Sequence, residues 1–111
     1  MSFNLLFDAT VLAIVSDKRT RRGIYFVVAN ILKELQKNKE LNVVLYYHPD
    51  VKDGEINTKS NIKDIFGQAD IFPIVNSNIR IFEQCDIHAM LNLWCWSPEF
   101  LKGTNIKKYI F

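Results

Sequence analysis

The chain has 111 residues, 49% of them hydrophobic and 23% charged, the balance of an ordinary globular domain and of one domain only. A formal charge of +2 is too small for a dedicated nucleic-acid binder, whose basic excess is large and gathered on one face. The two cysteines, Cys85 and Cys95, show neither CxxC spacing nor a neighbouring histidine pair, so no disulfide scaffold, zinc site or other metal or cofactor site is expected.

Residues 3–7 are a short, nearly continuous apolar run, as in a strand buried on both faces of a parallel sheet. The wider apolar start, residues 3–15, has no basic lead and is broken by Asp8, which argues against a signal peptide. No stretch reaches the roughly 18 apolar residues of a membrane span. The expected setting is therefore the reducing cytoplasm, with at most a peripheral contact to the inner face of a membrane.

A connecting segment leads to Gly23, where a helical pattern starts. Ile24, Val27, Val28, Ile31, Leu32 and Leu35 recur at i, i+3, i+4, i+7 and predict one apolar stripe, with Lys33, Glu34 and Lys37 on the other side. Residues 38–40 end that helix. The β-branched and aromatic run 41–47 predicts a second buried strand, closing a right-handed βαβ unit, and His48-Pro49-Asp50 stops it. A polar loop is expected through Asn57, then a short helix capped by Ser60, carrying Ile62, Ile65 and Phe66 and closed by Gly67.

Residues 71–75 and 79–82 are short apolar segments separated by the turn-prone Asn76-Ser77-Asn78. Residues 86–93 predict another inner strand, 94–103 an irregular loop containing Pro98, and 107–111 the start of one more strand. The fold class expected is α/β: a Rossmann-like parallel sheet with flanking helices, reading as incomplete at its C-terminus.

Four of the five residues 18–22 are basic, the main local charge feature. The step Arg21-Arg22-Gly23 falls between the first strand and the main helix, where open α/β sheets bind ligands. There the free N–H groups and dipole of a helix favour an anion, glycine allows close approach, and arginine can add bidentate contacts. The same residues also suit a solvated basic loop, or, as a weaker alternative, a nucleic-acid contact.

Asp8 directly follows the first strand and suits either a sugar hydroxyl or the backbone N–H groups of its own turn. His88, inside an apolar strand, reads as a ligand contact or as a satisfied core residue. Trp94 and Trp96 offer faces for sugar rings or simply cover the sheet. His48 has no evident partner. No nucleophile–base set, carboxylate pair or metal cluster is recognisable.

Several pieces in order resemble the N-terminal domain of family-4-type retaining glycosyltransferases, which place two Rossmann-like domains around a cleft (the GT-B arrangement). They are Leu5-Leu6-Phe7-Asp8-Ala9-Thr10-Val11-Leu12, then Arg22-Gly23-Ile24-Tyr25 running into Val27-Val28-Ala29-Asn30-Ile31-Leu32-Lys33-Glu34-Leu35, then Asp86-Ile87-His88, then Asn105-Ile106-Lys107-Lys108-Tyr109-Ile110-Phe111.

The resemblance implies that residues 1–111 form a truncated acceptor-side domain, inactive alone. The complete enzyme would move a sugar from a nucleoside diphosphate sugar to a glycan or lipid-linked acceptor. It further implies donor-phosphate contact at Arg22 and Gly23 and acceptor contact at Asp8 and His88, with no nucleic-acid partner. A different expectation, drawn from the open sheet edge, is a non-catalytic module that pairs that edge with a partner chain or with itself.

Overall fold

In the structure, a computed structural model, residues 3–76, 87–91 and 107–110 are described, with side-chain placement over 4–76. The chain opens with β1 (Phe3–Asp8), followed by α1 (Thr10–Ile14), a 3₁₀ turn at Lys18–Thr20 and α2 (Gly23–Gln36). It continues through β2 (Leu41–Tyr47), α3 (Gly54–Phe66), β3 (Ile74–Asn76), β4 (Ile87–Leu91) and β5 (Lys107–Ile110).

All five strands join one parallel sheet in the order β3-β2-β1-β4-β5. The chain builds outward from β1 through β2 to β3, then returns to the opposite side of β1 for β4 and β5. This is the order of the first five strands of a doubly wound Rossmann sheet, and its direction reverses at β1.

Strand β1 is buried on both sides from Leu5 to Phe7, which explains its nearly continuous apolar run. Leu5 and Phe7 belong to the core shared with Val43 and Leu45 of β2, Tyr25, Val28, Ala29 and Leu32 of α2, and Ile62 of α3. Leu6 and, on β2, Tyr46 alternate with these residues and are also buried.

Helix α2 and strand β2 begin and end where the sequence predicts. The buried stripe of α2, however, is rotated from the expected one: Tyr25, Val28, Ala29 and Leu32 are buried, whereas Val27 is 47% exposed and Phe26 52% exposed. Tyr25 and Ala29 replace Val27 because the helix turns its small and aromatic residues onto the sheet.

One element was not visible in the sequence pattern, and another is longer than the pattern suggests. Helix α1 is only five residues long, yet buries Thr10, Val11, Leu12 and Ala13. Helix α3 starts at Gly54, within the expected polar loop, and Ser60 lies inside it rather than at its cap. Its fully buried residues are Gly54, Thr58, Asn61 and Ile62; the expected Ile62, Ile65 and Phe66 pack against the core in its second half, while the first half turns a polar face inward.

Asp53 enters α3 with φ of 56°, and Gly67 closes it at φ of 75° with its N–H donating to the Lys63 carbonyl, as the closing glycine predicts. Gly54 lies under the Tyr47 ring: a Cβ there would come within 2.6 Å of ring carbons Cδ2 and Cε2. Strand β3 is shorter than the apolar run 71–75 and pairs only with Leu45–Tyr47 of β2. The segments expected at residues 79–82 and 94–103 lie outside the described residues.

Candidate functional site

The reversal of strand order at β1 directs attention to the carboxyl edge of that strand. Asp8, its last residue, is only 1% exposed. Its Oδ1 accepts from the Thr10 N–H at 3.0 Å and the Thr10 hydroxyl at 2.6 Å, a turn that carries the chain directly into α1. This hydroxyl–carboxylate pair is buried and shapes the turn.

The far end of α1 is finished by side chains from α3. Asn57 Nδ2 donates to the Ala13 carbonyl at 2.8 Å, while Asn61 Nδ2 donates to the carbonyls of Leu12 at 2.8 Å and Val15 at 2.6 Å. These are carbonyls that a helix end leaves without intrahelical partners.

Asn61 Oδ1 faces the other way, accepting from Arg21 Nη2 at 2.9 Å and from the Tyr25 hydroxyl at 3.4 Å. Burial pushes the Tyr25 hydroxyl above the usual tyrosine range, against the opposing charge of Arg21, so it stays a protonated donor.

Three of the four basic residues at 18–22 are committed to carboxylates. Arg21 Nη2 lies 2.6 Å from Asp64 Oδ2, with its guanidinium 4.6 Å above the Tyr25 ring. Lys18 Nζ lies 3.3 Å from the other Asp64 oxygen. The hydrogen bond from Arg21, reinforced by Lys18, holds the Asp64 carboxyl below its ordinary range. Arg19 grips Asp17, with Nη2 to Oδ2 at 2.8 Å and Nε to Oδ2 at 3.1 Å, and lowers that carboxyl in the same way.

Arg22 is different. It stands exposed at the N-cap of α2, where its carbonyl accepts from the Tyr25 and Phe26 N–H groups, and its side chain makes no ion pair or hydrogen bond among the described residues. Gly23 follows as the first helical residue; it too is exposed, and an added Cβ would meet nothing within 4 Å. No side chain caps this helix start, which leaves first-turn N–H groups facing outward beside a guanidinium. That arrangement favours an anion.

The sequence-predicted residues are only partly gathered. Arg22 and Gly23 adjoin one another at the start of α2, and Asp8 ends β1. His88 pairs in register with Leu5, three positions before Asp8, or about 10 Å back along the strands from that edge. His48 has a partner that sequence reasoning missed: its Nδ1 accepts from the Asp50 N–H at 3.3 Å. Trp94, Trp96 and both cysteines lie outside the described residues.

Asn61 and Asp64 were also missed. Their roles depend on partners some 40 residues away, and no local spacing signals that. Among the described residues no group of three or more His, Cys, Asp or Glu could hold a metal ion, and no helix is long and apolar enough to cross a membrane.

No protein-family model matches this chain, and neither a curated protein nor a solved structure matches it.

Proposed function

We propose that the chain is the acceptor-side Rossmann-like domain of a nucleotide-sugar glycosyltransferase, requiring a second domain for transfer. The observation that carries this reading is the uncommitted Arg22 beside the open Gly23 at the start of α2, which follows the central strand of the sheet. A diphosphate group seated there would accept hydrogen bonds from the α2 N–H groups and a charge-assisted contact from Arg22. Gly23 would let its oxygens approach the backbone. On this reading Asp8 and His88 serve the acceptor side, Asp8 through the turn it holds.

Because space surrounds Gly23, its replacement separates binding from folding. Gly23→Ala should leave stability unchanged or raise it by about 0.5–1 kcal/mol, alanine being the better helix former. Gly23→Val and Arg22→Ala should both abolish the millimolar binding of inorganic pyrophosphate and nucleoside diphosphate expected of the wild-type chain in calorimetric titration. Wild-type protein that binds neither compound, or variants that bind as the wild type does, would remove the assignment.

A second reading, an interaction module that recruits a partner strand, is favoured by one observation. Strand β3 covers only Leu45–Tyr47, so among the described residues the amino half of β2 has a strand on its β1 side alone. Sedimentation should then show concentration-dependent association. A monodisperse monomer across the accessible range argues against it.

A further inference from the structure

Beyond Val15, which packs against the core, the segment leading to α2 has no apolar anchor: none of the residues 16–22 is buried. The segment is nevertheless internally braced. Asp17 accepts from the Arg19 N–H at 2.9 Å and from its guanidinium, and its carbonyl accepts from the Thr20 N–H at 2.9 Å and hydroxyl at 2.7 Å.

Apart from the Tyr25 ring under Arg21, the side-chain contacts among the described residues that tie this braced turn to the body end on two residues of α3. Asn61 takes the Val15 carbonyl and Arg21, and Asp64 takes Lys18 and Arg21. The Arg21–Asp64 contact is the sheltered one, its side chains 16% and 26% exposed, whereas Lys18 is 72% exposed. A half-sheltered, charge-assisted pair outweighs an exposed one. At the downstream end stands Gly23, with open space around it.

We propose that residues 16–22 form a latched strap: the Asp64 carboxylate fastens a preformed turn to α3, and its loss lets that turn swing away as a unit while the domain stays folded. The latch sets where Arg22 stands, because Arg21 is the residue it grips. It follows from the contacts alone and does not depend on the sugar-transfer reading.

Limited trypsin digestion of the full chain tests it, since Lys18, Arg19, Arg21 and Arg22 are all cleavage points and all survive in Asp64→Asn. Cleavage inside the strap should quicken by about five- to tenfold, the scale of losing a part-sheltered ion pair that holds a local opening closed. Cleavage after Lys59 in α3 should keep its wild-type rate. Glu55→Gln, which removes the carboxylate 3.0 Å from Lys59 on the same helix, should leave the strap at its wild-type rate.

Strap cleavage unchanged in Asp64→Asn overturns the latch. So does an equal rise at the strap and at Lys59, since the carboxylate would then support the whole fold. In wild-type protein the ratio of strap to Lys59 cleavage should rise between about 0.05 and about 0.5 M salt as screening weakens the pairs, and a constant ratio also overturns it.

Discussion

Asn61 satisfies more of its surroundings than any apolar residue could in its place. Both ends of its amide are used, the nitrogen on the carbonyls of Leu12 and Val15, the oxygen on Arg21 and Tyr25. Truncation would leave buried acceptors without partners and loosen the strap, and groups that act as a network lose more together than singly. Asn61→Ala should therefore cost about 2–4 kcal/mol, read as a lowered urea midpoint with an unchanged slope. A loss below about 0.5 kcal/mol would mean that water replaces the amide at little cost.

The elements divide into those that advertise themselves and those that do not. Strand β2 is legible because Val43, Val44 and Leu45 belong to a continuous β-branched and aromatic run, and helix α2 because Val28, Leu32 and their neighbours recur at the helical period. The first half of helix α3 hides because its inward residues are Gly54, Thr58 and Asn61: glycine for the Tyr47 ring, and polar groups that bond the backbone of α3 itself and of α1. Helix α1 is too short to display a period.

The same distinction separates the parts of the candidate site. Arg22-Gly23 could be located by its place before a helix. That Arg21 is bound to α3 while Arg22 is not depends on tertiary contact.

Within α2 the phase of the buried stripe is testable. Leu32→Ala, at a fully buried position, should cost about 2–5 kcal/mol, whereas Val27→Ala, on the exposed side, should change stability by less than about 0.5 kcal/mol. Comparable losses at both sites would restore the stripe first expected from the sequence.

At the scale of the molecule, parallel pairing was implicit in the alternation of strands and a helix, which calls for right-handed crossovers. What alternation cannot say is where the order turns back, because that depends on which edge of β1 receives β4. The pairing is Asn4 to Phe7 with Ile87 to Met90.

That feature has a temporal side. The strand at the middle of the sheet is synthesised before the four others described, and β2 closes one of its edges after about 40 residues, but the other waits for a strand about 80 residues downstream. At about 5–20 residues per second, translation leaves that apolar edge uncovered for roughly 4–16 s. A nascent chain of this design is most open to mispairing or to a chaperone's grip during the second half of that interval, after β2 has paired and before β4 closes the centre.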